Sequence, residues 1–275
     1  MTLDPEEIRH AVRLALAEDI GGGDVTSDAT IPADARAMAI MVARQPLVLA
    51  GIAFAEAAFA ANKIARHLKD GESAGKGEHL LRVEGTARSI LAAERVALNF
   101  VQRLSGIATL TRAFVDAVRG TRAKILDTRK TTPGWRRFEK YAVKCGGGEN
   151  HRFGLFDMVL IKDNHLAAVR GNVVAAVQTA RKKSPSLKIE VEADTLDQAD
   201  QAVEAGADIV LLDNMTAEQL RRAVKRIGGR CKTEASGGVT LANVREIADT
   251  GVDYISVGAL THSAPAVDIG LDFAQ

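Results

Sequence analysis

Charged residues and glycines follow a series of short apolar segments in the second half of the sequence. These segments end in DTRK, IKDNH, EVE, LDN, EASGG and GALT, all between residues 127 and 261. One such ending taken alone is ordinarily a solvated strand end. Because the carboxyl ends of parallel strands meet at one edge of a sheet or barrel, the endings together predict a shared mouth that binds a polyanion.

The stretch after the first of these segments is a local basic patch. Its cationic residues are Arg129, Lys130, Arg136, Arg137, Lys140, Lys144, His151 and Arg152. Arginine binds a carboxylate through two parallel hydrogen bonds and lysine supplies a compact charge, so the mixture suits a ligand with several carboxylates or phosphates. Glycines 146–148 would let the backbone approach that ligand closely. A solvated basic loop is the alternative.

A phosphate site is predicted near the end of the chain. Ser236, Gly237 and Gly238 follow a late strand and precede a helix that we expect to begin near Thr240. Backbone N–H groups and the helix dipole favour a phosphate at such a position. Gly258 follows the next strand, and phosphate sites built from the last two strand-to-helix loops are common in barrels. A plain turn is the alternative.

Two acidic residues are candidate magnesium ligands. Glu192 and Asp213 end neighbouring predicted strands, and carboxylate oxygens hold Mg²⁺ while phosphates and water complete its octahedron. Where no phosphate site lies nearby, such residues are more often ion-pair partners. His151 and His165 are candidate acid–base groups, but the sequence has no HExxH motif that would make either a metal ligand.

Composition excludes several classes of protein. The 275 residues are 47% hydrophobic, which allows one large domain or two modest ones, and 36 Lys and Arg against 35 Asp and Glu create no field for nucleic acid or an anionic membrane. Cys145 and Cys231 lack metal-ligand spacing and predict no disulfide framework. Without a signal-peptide pattern or a membrane-spanning apolar run, the expectation is a soluble, cytoplasmic protein.

The first part of the chain predicts a small α+β domain. Apolar residues at helical spacing over 5–19 predict a helix that ends at three glycines, and residues 38–51 and the region near residue 85 predict strands. A long helix from Arg88 to Val118, interrupted by Ser105 and Gly106, would carry the chain into the next domain. We therefore expect an N-terminal domain over 1–110 and a second domain over 111–275.

The second domain predicts a βα barrel. Its candidate strands are 123–128, 158–163, 187–193, 207–213, 231–236 and 254–259, and helices capped by Thr195, Thr216 and Thr240 separate the later ones. Repeated βα units imply a parallel sheet, and no GxGxxG follows the first strand to favour a dinucleotide-binding sheet. About six strands stand where a complete barrel has eight, so an irregular, incomplete closure is expected.

The segment DTRKTTPGWRRFEKYAVKCGGGENHRFGLFDMVLIKDNH, residues 127–165, closely resembles the quinolinate phosphoribosyltransferase family. Family-like segments follow the same order elsewhere, among them EDIGGGDVTS, ERVALNFVQRLSGIAT, EVEADTLDQA, LLDNM, EASGGV and ISVGALTHS. The resemblance implies an N-terminal α/β sandwich and an incomplete βα barrel, with a C-terminal tail free to return to the first domain. It also implies a head-to-tail homodimer, or a higher oligomer, in which one subunit closes the other's barrel mouth.

The resemblance assigns roles to individual residues. Four would surround the two carboxylates of quinolinate: Arg129, His151, Arg152 and Lys162. Lys130, Glu192 and Asp213 would serve the pyrophosphate of phosphoribosyl pyrophosphate and its Mg²⁺, with Thr128 beside them as a substrate-binding residue. Ser236, Gly237, Gly238 and Gly258 would hold the ribose 5′-phosphate. Arg103 would reach in from the partner subunit. The catalytic residues would be Lys130, Lys162, Glu192 and Asp213.

The implied reaction joins quinolinate to the phosphoribosyl group and releases pyrophosphate and carbon dioxide, giving nicotinate mononucleotide. Two other classes stay open from the residues alone. A Schiff-base lyase would use Lys162 or Lys130, provided that desolvation keeps the amine neutral near pH 7. A non-catalytic sensor would bind phosphoribosyl pyrophosphate without turnover.

Overall fold

The computed structural model describes residues 1–169 and 171–274. Contacts divide the chain into two compact units. The first comprises Met1–Arg112, Thr132–Gly147 and Ser263–Gln275, and the second comprises Ala113–Thr131 and Gly148–His262. The expected domains 1–110 and 111–275 stay a prediction, because a compact unit of one chain is not yet an independently folding domain.

The first unit contains small antiparallel sheets and helices. Its elements are α1 (Pro5–Ile20), α2 (Val25–Thr30), β1 (Arg36–Ala43), β2 (Leu47–Val48), α3 (Ile52–Ala58), β3 (Lys63–Arg66), β4 (Ser73–Ala74), β5 (His79–Thr86), most of α4 (Ala87–Ala117), α5 (Arg136–Cys145) and β12 (Ile269–Phe273). One sheet has the order β12-β1-β5-β3, and β2 pairs with β4. The predicted first helix and the strands near 38–51 and 85 are confirmed.

Local chemistry explains where the first helix begins. Asp4 is its N-cap and accepts a hydrogen bond from the backbone of Glu6, while Pro5 occupies the first turn, where its missing N–H costs nothing. Ile8 and Val12, one turn apart, are the buried residues of this helix. The helix therefore packs through a narrow apolar stripe.

The expected interruption of the long helix at Ser105 and Gly106 is wrong, because α4 runs unbroken from Ala87 to Ala117. The Ser105 hydroxyl is 3.0 Å from the backbone nitrogen of Ala50 and accepts its hydrogen bond. A Cβ at Gly106 would lie 2.0 Å from the carbonyl oxygen of Pro265. Ser105 and Gly106 are thus a place where another backbone segment packs closely against the helix. A serine followed by a glycine looks the same in the local sequence whether it breaks a helix or allows such packing.

The second unit is a parallel βα structure. Its strands are β6 (Lys124–Leu126), β7 (Val159–Ile161), β8 (Ile189–Ala193), β9 (Ile209–Asp213), β10 (Lys232–Ser236) and β11 (Tyr254–Ser256). Its helices are α6 (Asp163–Ala168), α7 (Val173–Lys183), α8 (Leu196–Glu204), α9 (Ala217–Ile227), α10 (Val244–Ala248) and α11 (Ala259–His262). Within the described residues these strands form one sheet in the order β6-β11-β10-β9-β8-β7.

This architecture confirms the predicted fold class, an α/β protein with a small N-terminal sheet domain and a parallel βα unit. All the predicted strands of the second half are present, each within its expected range. The register places Glu192 beside Leu211 and Asp213 beside Ser236, so functional side chains follow each other along one edge. This edge is formed by the carboxyl ends of the strands.

Capping residues mark two of the three predicted helix starts. Thr195 and Thr216 each cap a helix through a reciprocal capping box with Gln198 and Gln219. The third start is wrong, because α10 begins at Val244 and not near Thr240. The Thr240 backbone instead donates to the Asn243 side chain at 2.8 Å. In the described part of the chain, no helix is both long and apolar enough to cross a membrane.

Close packing at Gly106 predicts a stability effect. We expect Gly106→Ala to lower the free energy of unfolding by about 1–3 kcal/mol, because the methyl group would overlap Pro265. Urea unfolding followed by circular dichroism measures the change. Gly22→Ala is the control, since a Cβ there meets no atom within 4 Å. Equal stability of both variants would contradict this packing.

Candidate active site

A cavity of about 700 Å³ opens at the carboxyl ends of the parallel strands in the second unit. Every residue to which the family resemblance gives a role lines this cavity except Arg103. The expected residues that line it are Thr128, Arg129, Lys130, His151, Arg152, Lys162, Glu192, Asp213, Ser236, Gly237, Gly238 and Gly258. The strand order therefore gathers into one cavity groups that are far apart along the chain.

Two guanidinium groups give the cavity a cationic wall. Burial and the neighbouring charge of Arg129 lower the pKa of Arg152. The carbonyl oxygen of Met158 accepts a hydrogen bond from Arg152 Nη1 at 3.3 Å, which fixes one edge of the group. Because an arginine stays charged even with a lowered pKa, two guanidiniums held this close favour an anionic ligand between or beside them.

His151 is held on three sides. Its backbone N–H donates to Asp127 Oδ1 at 2.9 Å, and its Nδ1 accepts from the backbone N–H of Arg152 at 2.8 Å. Its Nε2 lies 2.9 Å from Glu190 Oε2 and 3.6 Å from Glu234 Oε2. The ring lines the cavity while its two nitrogens are directed at protein groups.

Two buried carboxyl groups lie against His151. Glu190 is 0% exposed and Glu234 is 1% exposed. Burial raises the pKa of Glu190 to about 7, and burial together with the charge of Glu190 raises the pKa of Glu234 to about 8. Like charges this close disfavour ionisation of both groups, so the pair holds a proton near neutral pH.

The candidate metal ligands have defined neighbours. Lys162 Nζ lies 3.2 Å from Glu192 Oε2, and Asn214 Nδ2 donates to Asp213 Oδ2 at 2.6 Å. Asn214 has a positive φ of 52°, a left-handed conformation that few residues other than glycine adopt. Its turn directs Asp213 into the cavity.

Glycines form another part of the cavity lining, called here the glycine wall. Gly237 has φ 93°, and a Cβ there would lie 2.1 Å from Asn214 Oδ1. A Cβ at Gly258 would lie 3.1 Å from Lys130 Cδ. Lys130 is itself positioned by its backbone, whose carbonyl oxygen accepts from Thr261 Oγ1 at 2.8 Å. A side chain at Gly237 would overlap Asn214, and one at Gly258 would crowd Lys130, two residues that line the cavity.

The expected single basic patch is wrong in part. Arg136, Arg137, Lys140 and Lys144 lie on α5, which belongs to the first unit. Trp135 stacks on Phe100 with ring centroids 4.9 Å apart, and this aromatic contact holds the segment in that unit. The cations that line the cavity are those near the ends of the stretch, such as Arg129 and Arg152.

The expected role of Gly146 in ligand approach is also wrong. A Cβ there would lie 2.4 Å from the carbonyl oxygen of Ala108, so this glycine serves helix packing in the first unit. His165 serves local structure as well, because its Nδ1 accepts from the Lys162 backbone at 3.0 Å and caps α6. Neither residue needs a ligand to explain its place.

Arg103 lies on α4 in the first unit. Its guanidinium donates to the carbonyl oxygen of Ala264 at 2.8 Å and pairs with Glu139 at 2.9 Å. Glu139 is 0% exposed and also accepts from Thr132, so the arginine is held in a fixed orientation. The role of Arg103 at a partner's active site stays a prediction.

Several cavity residues were not selected as site residues from the sequence. They are Leu160, Leu211, Asn214, Glu234, Val239, Thr240, Ser256, Ala259 and His262. A signal for His262 existed, since it follows Gly258 by one helical turn at a strand end. Glu234 also ends a predicted strand, but nothing in the sequence distinguishes a buried glutamate from a solvated one.

Fold and cavity together define a class of protein. A parallel βα unit whose strand ends bring cations, two carboxylates and glycine turns into one cavity is suited to an enzyme that binds a phosphorylated, polyanionic substrate. The family models for the quinolinate phosphoribosyl transferase N-terminal and C-terminal domains match residues 24–105 and 107–272.

Individual relatives agree with the family models. The chain is 48% identical over 274 residues to the nicotinate-nucleotide pyrophosphorylase (carboxylating) of Mycobacterium leprae, covering 96% of each chain. It is 45% identical to quinolinate phosphoribosyltransferase (decarboxylating) 1b of Nicotiana tabacum, covering 96% of this chain and 82% of that one. The solved nicotinate-nucleotide pyrophosphorylase of Francisella tularensis superposes with a TM-score of 0.94 at 39% identity, covering 99% and 98% of the two chains. The chain belongs to the quinolinate phosphoribosyltransferase family.

The buried carboxyl pair predicts a pH dependence of stability. A folded-state pKa raised from 4.5 to about 8 means that folded Glu234 keeps a proton that the unfolded chain loses. Protonated Glu234 therefore adds to the free energy of unfolding at pH values below the pKa of this group in the unfolded chain. The added stability is lost as the pH rises toward the folded-state pKa of about 8.

We expect Glu234→Gln, a neutral group of the same shape, to show a smaller loss of stability on this rise in pH. Urea unfolding at several pH values tests it, with the exposed Asp197→Asn as control. Parallel pH profiles for wild type and Glu234→Gln would refute the assignment.

Proposed function

We propose that this protein catalyses decarboxylating phosphoribosyl transfer from phosphoribosyl pyrophosphate to quinolinate, giving nicotinate mononucleotide, pyrophosphate and carbon dioxide. The observation that carries the proposal is the paired guanidinium wall of Arg129 and Arg152 beside Lys162, in a cavity that also holds Glu192 and Asp213. Relatives named for this activity cover nearly the whole chain. The reaction supplies a precursor in NAD biosynthesis.

The cationic wall suits a dicarboxylate. Arg129, Arg152 and Lys162 would bind the two carboxylates of quinolinate and orient its ring nitrogen toward C1′ of the ribose. Orientation of this kind turns a bimolecular reaction into an effectively unimolecular one. Attack by the nitrogen forms a pyridinium ring. The positive ring nitrogen stabilises the electron pair left on the adjacent ring carbon when its carboxylate departs as carbon dioxide, and that carbon then takes up a proton from water, so the chemistry requires no organic cofactor.

The glycine wall suits the phosphoribosyl group. Ser236, Gly237, Gly238 and Gly258 would hold the 5′-phosphate through backbone N–H groups, while Thr128 and Lys130 would contact the pyrophosphate. As the bond from C1′ to pyrophosphate breaks, negative charge develops on the leaving group. A fixed ammonium group at Lys130 stabilises that charge where it develops.

Glu192 and Asp213 fit a magnesium ion. Carboxylates at two strand ends, beside the proposed pyrophosphate position, are the hard oxygen ligands that Mg²⁺ takes together with substrate phosphates. When bound, Mg²⁺ supplies charge neutralisation of the leaving pyrophosphate. The chain's own contribution is the placement of the two carboxylates, which Lys162 and Asn214 orient.

The proposal includes a cytoplasmic homodimer with shared active sites, or a higher oligomer built from such dimers. Leu155 and Phe156 are 75% and 73% exposed, an unusual surface for neighbouring large apolar residues and one that a second subunit would cover. Cys145 and Cys231 are free, which suits a reducing compartment. In the dimer, Arg103 of one subunit would reach the partner's cavity.

In the Schiff-base alternative, one of the two candidate lysines, Lys162, is already engaged in an ion pair with Glu192 at 3.2 Å. A nucleophilic lysine must instead be neutral. The sensor alternative predicts that phosphoribosyl pyrophosphate is bound and no product forms, so formation of product would exclude it.

Purified protein should release carbon dioxide and nicotinate mononucleotide in equal amounts from quinolinate and phosphoribosyl pyrophosphate. With nicotinate in place of quinolinate, kcat/KM should fall at least about a hundredfold, because cations of the wall lose an anionic partner. Chromatography and trapped carbon dioxide measure both products. Binding of both substrates without product would support the sensor, and efficient use of nicotinate would refute the proposed specificity.

Activity should depend on a divalent metal. Glu192→Gln and Asp213→Asn should each raise the Mg²⁺ concentration for half-maximal rate by about tenfold or more, since each removes a charged ligand. A magnesium titration of the steady-state rate measures this, and Glu218→Gln on α9 is the exposed control. Full activity of wild type in excess chelator would exclude the magnesium role.

Shared sites predict complementation between inactive subunits. Arg103→Ala and Lys130→Ala homodimers should each be nearly inactive, but a mixed dimer holds one doubly altered site and one intact site. With random reassortment about half the dimers are mixed, so activity should return to about a quarter of wild type. Native mass spectrometry of tagged chains must first establish subunit exchange. Mixed dimers without activity would place Arg103 outside the partner's site.

A further inference from the structure

The buried glutamates beside His151 take no part in the reaction steps of the proposed function. Glu190 lies on β8 and Glu234 on β10, and both project to the same side of His151. Burying carboxyl groups is costly unless they are neutralised or hydrogen-bonded. Glu190 is not among the cavity-lining residues, so an action on substrate must pass through another group.

Hydrogen-bond directions at His151 identify that group. The backbone N–H of Arg152 can only donate, so its 2.8 Å contact requires a lone pair on His151 Nδ1. The ring proton of neutral His151 then lies on Nε2, which is 2.9 Å from Glu190 Oε2 and donates to it. Both contacts hold only for the neutral Nε2–H tautomer in this ring orientation.

This arrangement changes what His151 contributes. An imidazolium would present its charge to the substrate, but here neither ring nitrogen has its hydrogen-bonding direction toward the cavity. His151 instead joins a buried carboxyl group on β8 to the backbone of Arg152. The charge on the wall is that of the Arg152 guanidinium, which also pairs electrostatically with Glu190.

We propose that Glu190, with Glu234 packed beside it, is a positioning residue that holds His151 as the neutral Nε2–H tautomer and thereby orients Arg152 for the substrate carboxylate. The part concerning the carboxylate rests on the proposed function. Glu234 Oε2 lies 3.6 Å from His151 Nε2, so the Glu234 side chain restricts rotation of the ring and keeps Nε2 directed at Glu190. The pair thus sets affinity for quinolinate and leaves the phosphoribosyl side unaffected.

The tautomer is measured directly by ¹H–¹⁵N correlation of the imidazole nitrogens in labelled wild-type protein without substrate. His151→Gln identifies the His151 signals by their loss. We expect one protonated nitrogen, Nε2, and one nitrogen with a lone pair, Nδ1. An imidazolium with two protonated nitrogens, or the Nδ1–H tautomer, would overturn the proposal.

Kinetics test the positioning role. Glu190→Gln keeps an oxygen acceptor for Nε2–H, whereas Glu190→Leu removes it. We expect the KM for quinolinate to rise about tenfold in Glu190→Leu and less than about threefold in Glu190→Gln, with the KM for phosphoribosyl pyrophosphate within about threefold in both. Glu204→Leu and Glu204→Gln, at an exposed position on α8, are matched controls.

Other outcomes decide against the proposal. Equal rises in KM for both substrates would indicate a general structural role, and equal damage from Gln and Leu would show that charge rather than an acceptor matters. The ligand atoms of His151, Glu190 and Glu234 lie within 4.8 Å of one another, so stoichiometric metal that is lost in Glu190→Gln but kept in Glu192→Gln would replace this account with a metal site.

The experiments separate this inference from the proposed function. If Glu190→Leu does not fold, the tautomer in wild type and its retention in Glu190→Gln still decide the question. A wild type without turnover would refute the proposed function, while the tautomer measurement would stand by itself.

Discussion

Charge balance in the cavity at the strand ends is the constraint on which the site depends. Burial and the neighbouring charge of Arg129 lower the pKa of Arg152, and the two positive charges favour an anion bound in the cavity that both residues line. The buried carboxyl pair of Glu190 and Glu234 compensates only in part, because burial and mutual repulsion keep a proton on it. A ligand with two carboxylates completes the balance, whereas a ligand with one carboxylate supplies only half of that negative charge.

The parallel sheet makes this balance possible. Neighbouring strands bring Asp213 beside Ser236 and Glu192 beside Leu211 at one edge of the sheet. The acidic residues and the glycine-rich turn therefore lie on adjacent strands. The groups that hold the functional side chains are local as well. Asn214 positions Asp213, and Thr261 holds the backbone of Lys130. Cations, carboxylates and glycine turns thereby line one cavity.

Much of this arrangement was predictable from the sequence, because it depends on local signals. The strands of the parallel unit are short apolar runs, and the capping boxes at Thr195 and Thr216 are short-range patterns. The family-like segment over 127–165 contains the cations of the cavity wall, Arg129, Arg152 and Lys162. Residue types and order along the chain were therefore enough to indicate the cationic side of the site.

Several of the wrong predictions share a physical cause, contact between residues distant in sequence. Gly106 resembles a helix break, but it is required by the approach of Pro265. Gly146 resembles a ligand-binding glycine, yet it packs against Ala108. In the sequence the α5 segment resembles a basic loop, but Trp135, just before this helix, stacks on Phe100 and holds the segment in the first unit. The burial of Glu190 and Glu234 is of the same kind, since strand alternation alone does not show how deep a side chain lies.

The most direct test of the charge-balance account is a crystal structure of the protein with quinolinate bound. The account predicts one ring in the cavity of the second unit, with one carboxylate hydrogen-bonded to the guanidinium of Arg152 and the other reached by Arg129 or Lys162. Glu190 should keep its contact with His151. Quinolinate bound elsewhere, or bound in the cavity with its carboxylates directed away from both arginines, would contradict the account.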